Sequence, residues 1–377
     1  MKLVFITRKV DRNDSLTGFV FSWIEKLAQN LEKLYVICQE KGDVSGLPKN
    51  VEVFSFGKEK GYGKLRQGYQ LFVISFKLAR SANGFFVHMH PIYAVIAWLP
   101  AKLLGRKLIL WYTHKAVDWK LRLATMLVDE VFTASPESFR IKSGKVKVVG
   151  HGTDLTKFQI PCLAGRQANS PPKAYPPLAD KFQTNPKSQN HKFKILSIGR
   201  ISPVKDYETL IKAVEILYHH KNVKDIEVEI YGKIGLPEHQ SYLDSLVEFV
   251  RNANLEEVIK FQGELNYEYV DEVYQEADLF VNLSQTGSID KAVLEAAASG
   301  TLVLTSNEAF GPPFSKISPL LFFSRNDPED LAGKILEISS LSEMEKKSLR
   351  LKLCQWVKEN HNLDDLVKII VNEFLKQ

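Results

Sequence analysis

The sequence predicts an α/β protein of two domains, each a doubly wound parallel sheet, and three observations support that fold class. A chain of 377 residues exceeds the roughly 100–200 residues that one hydrophobic core ordinarily serves, so two domains with a cleft between them are expected. Short β-branched and aromatic runs alternate with segments of helical period across residues 1–155, and the alternation resumes at 193. Repeated strand–helix units of this size build parallel sheets covered on both faces. Between 156 and 192 the alternation stops, and Pro161, Pro171, Pro172, Pro176, Pro177 and Pro186 lie among Asn, Gln, Ser and Lys. Such a stretch reads as a linker or insertion, because breaks of this length are uncommon inside a compact domain.

In the first series, strands are expected at Lys2–Thr7, Leu34–Cys38, Val51–Phe56, Phe85–His88, Lys107–Tyr112, Glu130–Ala134 and Val146–Val149. Helices are expected near Phe19–Asn30, Leu65–Ser81, Ile92–Leu104 and Ala116–Val128. The second series predicts strands at Phe193–Ile198, Ile226–Tyr231, Ile259–Gln262, Leu279–Leu283, Leu302–Thr305 and Leu320–Phe323. Its helices are expected at Tyr207–Tyr218, Glu238–Ala253, Tyr267–Glu276 and Lys291–Ser299, followed by Pro328–Ser339, Ser342–Glu359 and Leu363–Leu375. The last keeps Leu363, Leu366, Val367, Ile370, Val371 and Phe374 on one stripe and therefore needs a surface to pack on. The domains expected are 1–155 and 193–355, with 356–377 as a helical segment crossing back.

Hydrophobic residues make up 45% and charged residues 25% of the chain, the balance of a soluble globular protein and not of a disordered or fibrous one. Cys38, Cys162 and Cys354 are far apart and form no Cys-x-x-Cys pair. Neither a disulfide framework nor a zinc site is suggested, and a reducing, cytoplasmic setting fits. The run Met1–Ile6 reads as a strand, too short for a signal peptide and without a small-residue cleavage site after it. The apolar stretch Phe85–Gly105 is interrupted by His88, His90, Pro91, Pro100 and Lys102, which a spanning helix of about 20 apolar residues would not carry. The net charge of +6 is uneven: residues 1–155 hold 24 Lys/Arg against 13 Asp/Glu, or +11, which leaves −5 for the remainder. The excess reads either as contact with something anionic, such as an acidic membrane face, or as a solvated basic surface. No nucleic-acid partner is expected, because no recognised nucleic-acid module accompanies the charge.

Two stretches carry chemistry. The strand ending at Ile198 runs into Gly199-Arg200-Ile201-Ser202-Pro203-Val204-Lys205 and then a helix, which puts two cations at the carboxyl end of a strand, where open α/β sheets bind ligands. The planar fork of Arg, the point charge of Lys and the free N–H groups of a helix start together make a diphosphate cradle; a solvated Lys and a surface ion pair are the plainer reading. In Lys291–Ser299 the helix is apolar on nearly every face except for Glu295. A buried carboxylate needs partners, and either the i,i+4 neighbour Lys291 or a sugar diol would serve.

Taken together, Gly199-Arg200 with Lys205, Tyr231-Gly232-Lys233-Ile234-Gly235, Phe261-Gln262-Gly263-Glu264-Leu265, Ala277 to Ser284, and Leu294-Glu295-Ala296 with Gly300 occur in the order and spacing of family 4 glycosyltransferases. The chain resembles that family, densely from about Phe193 to Thr305 and more loosely in the first half, at Thr17-Gly18, Tyr112-Thr113-His114 and Val148 to Asp154. The resemblance implies a GT-B fold, two Rossmann-like domains with C-terminal helices packing back toward the first. A nucleoside-diphosphate sugar lies in the cleft, held mainly by the second domain, and a glycan, glycolipid or lipid-linked acceptor enters over the first. It further implies Arg200 and Lys205 on the diphosphate, Glu295 on the ribose, and Gly263, Glu264 and Leu265 near the base. The backbone at Gly18 approaches the phosphates and His114 lines the donor sugar near its anomeric carbon. Without the resemblance, His114 reads as a satisfied histidine at a strand end. Family members retain anomeric configuration, with the leaving phosphate taking the acceptor's proton. The chain has no Asp-x-Asp motif, and Arg and Lys can supply the charge that a metal brings elsewhere, so neither metal nor cofactor is expected.

One position departs from the pattern. The family's Glu-x7-Glu places a carboxylate eight residues before the second Glu, and here that position is Gly287. Thr286, Ser288, Asp290 and Lys291, with Ile289 in the same loop, are the candidates to face the donor sugar instead; loss of activity is the alternative. Asp206 stands where the family often has Gly. On the acceptor side, Lys58, Lys60, Lys64 and Arg66 surround Tyr62 and Tyr69 in a Gly-rich stretch before an apolar helix, and read as a contact for anionic lipid headgroups at the inner membrane face or as a solvated loop. Two further functions share the fold: a nucleotide-sugar 2-epimerase, which should show acidic residues acting on the sugar, and a non-catalytic nucleotide-sugar-binding protein. A Rossmann dehydrogenase is disfavoured, because no Gly-x-Gly-x-x-Gly opens either domain.

Overall fold

The computed structural model describes residues 1–14, 17–158 and 192–376. Most of the linker expected over 156–192, with Cys162, lies outside these residues. The first sheet has seven strands, β1 (Lys2–Val10), β2 (Lys33–Lys41), β3 (Val51–Ser55), β4 (Gly84–His88), β5 (Lys107–Trp111), β6 (Glu130–Thr133) and β7 (Val146–Val148), in the order β3-β2-β1-β4-β5-β6-β7. The second has five, β8 (Phe193–Ile198), β9 (Ile226–Tyr231), β10 (Ile259–Gly263), β11 (Leu279–Asn282) and β12 (Leu302–Thr305), in the order β10-β9-β8-β11-β12. Every pairing is parallel. Leu3, Val4, Phe5 and Ile6 of β1 and Phe85, Phe86 and Val87 of β4 are fully buried, as befits strands covered on both faces. The strand order reverses between β1 and β4 and again between β8 and β11, and each reversal opens a crevice at the carboxyl ends of the strands.

The helices of the first half are α1 (Phe19–Gln29), α2 (Lys64–Ala79), α3 (Pro91–Leu103) and α4 (Trp119–Leu127). Those of the second half are α5 (Tyr207–Glu215), α6 (Gln240–Asn252), α7 (Val270–Glu276), α8 (Lys291–Ala298), α9 (Gly311–Ile317), α10 (Pro328–Ser340), α11 (Glu343–Asn360) and α12 (Leu363–Leu375). The amphipathic stripe of α12 finds its surface on the first domain. Leu363, Leu366, Val367, Ile370 and Phe374 are buried, and a Cβ at Gly84 would lie 2.4 Å from the Phe374 ring, so the ring packs directly on the start of β4. Lys107 Nζ donates to Glu373 Oε1 at 2.9 Å, and Lys26 of α1 pairs with Asp364 at 2.9 Å. Burying a Leu, Ile, Val or Phe side chain is worth about 1.5–3 kcal/mol, so five of them outweigh these two part-buried ion pairs as the reason that the helix crosses.

The expected strand at Leu320–Phe323 does not form. Pro319 has no N–H to give a ladder, and the Ser318 hydroxyl accepts from Leu320 N at 3.3 Å, which winds Pro319–Leu321 into a 3-10 turn. Phe322 keeps a single bridge to Thr305. Helix α9 lies between the expected elements, and Pro in its first turn suits a helix start. The helix expected from Ala116 starts at Trp119, because the Asp118 carboxylate caps Leu121 N at 2.8 Å. Those expected from Glu238 and Tyr267 open as 3-10 turns, and the one from Tyr207 ends as a π turn, Ile216–His220.

Candidate active site at the carboxyl ends of the sheets

The Arg200–Lys205 stretch follows β8 at the reversal of the second sheet. Gly199, Gly232 and Gly263 end β8, β9 and β10 side by side: Gly199 N donates to Tyr231 O at 3.0 Å and Gly232 N to Gly263 O at 2.7 Å. A Cβ at Gly232 would lie 1.8 Å from Gly199 O, so this close approach of backbones admits no side chain. Pro203–Lys205 forms a 3-10 turn, and Asp206 takes a left-handed conformation at φ +47° before α5 begins. That backbone explains why Gly would suit position 206; Asp is among the few other residues that tolerate it, and here its carboxylate accepts from Thr209 Oγ1 at 2.9 Å.

Arg200 is exposed and makes no ion pair among the described residues. Lys205 folds back over Gly199, with its Nζ donating to Asp290 Oδ2 at 2.6 Å. Asp290 also accepts from Asn282 Nδ2 at 3.1 Å and caps α8 at Ala292 N. Burial pushes the Asp290 carboxyl up, but the Lys205 charge and these hydrogen bonds outweigh it and hold the carboxyl below its ordinary value. A cavity of about 60 Å³ beside Arg200 is lined by Gly232, Lys233, Glu264 and Leu265, the region expected near the base. Lys233 Nζ donates to Glu264 Oε1 at 2.6 Å and Gly263 is left-handed at φ +78°.

Glu295 is 5% exposed and satisfied within the protein. Lys291 donates to Oε1 as the i,i+4 partner, Tyr267 OH donates to Oε1 at 2.9 Å and Tyr274 OH lies 3.4 Å from Oε2. Burial, and then the Glu295 charge, push the hydroxyls of Tyr267 and Tyr274 well above their ordinary values, so both remain donors. The first domain closes over this group: Lys291 Nζ stands 4.2 Å from the centre of the Phe19 ring, and a Cβ at Gly18 would lie 3.1 Å from Tyr267 Cβ. Gly18 N itself donates to Asp14 O at 2.8 Å. A ribose at Glu295 therefore has to take over hydrogen bonds that Lys291 and Tyr267 now give.

His114 and Lys115 reach the same crevice from the first domain. Lys115 Nζ donates to Gln285 O at 3.1 Å and Lys115 N to Ser288 Oγ at 3.2 Å, while Ile289 N donates to Ser138 Oγ at 3.3 Å. Burial, and then the charges of Arg200 and Lys115, lower the pKa of His114. Thr286 Oγ1 lies 3.2 Å from Ser284 Oγ. Gly287 is left-handed at φ +62°, and a Cβ there would fall 2.0 Å from Glu308 Oε1. Lys115, Tyr267 and Glu308 were not singled out in the sequence. Lys115, adjacent to His114, carried the only local signal; the other two reach the site by tertiary folding.

The basic stretch follows β3 and leads into α2. Lys58 Nζ donates to Glu40 Oε2 at 2.6 Å and Arg66 stacks 3.7 Å over the Tyr62 ring, while Lys60 and Lys64 are exposed. On α2, Leu65, Tyr69 and Val73 are 93%, 65% and 40% exposed at a spacing of four residues, which makes an apolar stripe between the basic side chains.

Two parallel sheets with this strand order, facing crevices and crossing C-terminal helices define a GT-B architecture. Residues 179–350 match the family model described as Glycosyl transferases group 1. A mannosylfructose-phosphate synthase of Agrobacterium fabrum is 29% identical over 138 residues, which is 36% of this chain and 30% of that protein, so under a third of the relative's length is matched. Anabaena HepE, solved in complex with UDP, is 15% identical with a TM-score of 0.73 over 100% of both chains. A sucrose-phosphate synthase of Thermosynechococcus elongatus is 16% identical with a TM-score of 0.71, over 100% of this chain and 98% of that one. A glycosyltransferase from Rickettsia africae is 16% identical with a TM-score of 0.73, again over 100% and 98%. At such identities the three solved structures share a fold with this chain.

Proposed function

We propose that this protein moves a hexose or N-acetylhexosamine from a nucleoside-diphosphate sugar to a glycan, glycolipid or lipid-linked acceptor, with retention of configuration and without a metal. The reading is carried by one convergence: Val204 O, next to Lys205, accepts from Gln285 N at 3.0 Å, Gln285 O accepts from Lys115 Nζ of the first domain at 3.1 Å, and the Arg200 charge acts on His114 beside Lys115. Bond breaking leaves a doubly charged nucleoside diphosphate, and preorganised cations in a crevice stabilise that charge as it develops. Arg200 binds phosphate oxygens through its planar fork, Lys205 gives a point charge, and His114 hydrogen-bonds the donor sugar. Glu295 takes the ribose hydroxyls, with Gly263, Glu264 and Leu265 around the base and Gly18 against the phosphates. The match over 179–350 to group 1 glycosyl transferases, and the fold shared with a protein solved with UDP, support the donor. No described helix is long and apolar enough to cross a membrane. The α2 stripe with Lys58, Lys60, Lys64 and Arg66 supports peripheral attachment to the inner face of the cytoplasmic membrane, where a lipid-linked acceptor would lie.

Incubation with UDP-, GDP- and ADP-glucose, alone and with glycan, lipid-linked and sugar-phosphate acceptors, tests the reading. Transfer, or slow hydrolysis of one donor, is expected. Formation of an epimer, or tight binding with no turnover of any donor, would contradict it; these are the results that a 2-epimerase and a non-catalytic binding protein predict.

A further inference from the structure

Beside Gly287 lies a carboxylate from another part of the chain. Gly287 is buried, and a Cβ built there would fall 2.0 Å from Oε1 and 2.9 Å from Cδ of Glu308, and 3.2 Å from Lys115 Nζ. Non-bonded atoms do not approach that closely, so an acid at 287 and Glu308 in its present place exclude each other. The backbone at Glu308 is held by its neighbour. Glu308 opens the 3-10 turn Glu308–Phe310, and Asn307 before it is fully buried. Asn307 Oδ1 accepts from Ala309 N at 3.1 Å, its backbone N donates to Thr305 Oγ1 at 3.1 Å, and its Nδ2 donates to Ser288 O at 2.8 Å. The last bond ties the Glu308 turn to the residue next to Gly287.

The Glu308 side chain is 47% exposed, and Lys115 Nζ, Arg140 Nη2 and Arg325 Nη2 stand 3.9, 3.7 and 3.9 Å from its carboxylate. These are ion-pair distances longer than hydrogen bonds, so its charge is compensated while its oxygens stay open to donors. Lys115 and Arg140 come from the first domain and Arg325 from the second, which sets the acid in the cleft.

We propose that Glu308 is the carboxylate that accepts hydrogen bonds from the hydroxyls of the donor hexose, supplied from the turn after β12 because position 287 carries none. This rests on the nucleoside-diphosphate-sugar reading above and adds which residue recognises the sugar. The test uses the full chain and titrates UDP, GDP and ADP against their glucose conjugates, for wild type and Glu308→Gln. For the nucleotide that wild type binds, Glu308→Gln should leave diphosphate affinity within about twofold, and should weaken the glucose conjugate, or slow its hydrolysis, about tenfold or more. Gly287→Glu should lower Tm, and adding Glu308→Gly should recover part of that loss by clearing the shared space. A Glu308→Gln variant that matches wild type on conjugate and diphosphate alike, or that weakens both equally, overturns the assignment; equal weakening would mark Glu308 as an interdomain ion cluster only. A double variant no more stable than Gly287→Glu would also overturn it. Wild type that binds none of the diphosphates overturns the donor reading itself and this assignment with it.

Discussion

Arg200 and Lys205 lie five positions apart and meet an incoming phosphate differently. Arg200 is exposed and unpaired among the described residues, whereas Lys205 is held at 2.6 Å by Asp290. A diphosphate gains the whole of the Arg200 fork but must share Lys205 with a carboxylate, so Arg200 contributes the larger part of its affinity. Glu295 illustrates how far single residues were legible. Its burial followed from an apolar helix and its Lys291 partner from the four-residue spacing, but Tyr267 and Tyr274 come from a segment that no local pattern links to it. Gly287 was legible as an absence; that Glu308 occupies the space depends on how Asn307 hydrogen-bonds to Ser288, which only the folded chain displays. Asp206 was legible as an oddity, and its left-handed backbone supplies the reason.

At the scale of elements, the sequence series and the strands agree wherever an apolar run is bounded by turn residues, since the central strands are buried on both faces and leave no alternation to misread. Legibility failed where local hydrogen bonds decide: the Ser318 cap made a turn of an expected strand, and Pro in the first turn opened a helix where no element was expected. Helix α2 carries a prediction of its own. Its stripe of Leu65, Tyr69 and Val73 stands beside Lys60, Lys64 and Arg66, and each basic residue near an anionic surface adds about 1 kcal/mol. Binding to vesicles rich in anionic lipid is expected, with release on charge reversal of Lys58, Lys60, Lys64 and Arg66. Vesicle binding that is absent, or that survives the reversal, would sink the membrane reading.

Across the whole molecule, four histidines sit away from water: His88 and the half-buried His90 within the first domain, and His151 and His361 where the C-terminal helices cross back. Burial, above all, depresses His88 and His361 to about 3, and His90 and His151 to about 4, while His151 N donates to His361 Nδ1 at 2.9 Å where the chain crosses between domains. A histidine whose folded pKa lies below its unfolded value of about 6.5 binds more protons when unfolded. Stability is therefore full above pH 6.5 and falls as the pH drops toward 4, before the depressed carboxyls of Asp14 and Asp290 lose their share below about 4. One such histidine alone removes about 2 kcal/mol between pH 7 and 5. Urea unfolding should show at least that loss, and a flat stability over this range would refute the neutral, buried assignment.

The central claim is that the crevice holds a nucleoside diphosphate through Arg200 and Lys205. Calorimetric titration of UDP, GDP and ADP into wild type, Arg200→Ala and Lys205→Ala tests it most directly. Wild type should bind at least one of them, Arg200→Ala should weaken that binding about tenfold or more, and Lys205→Ala should weaken it less. Both variants binding as wild type does would contradict it.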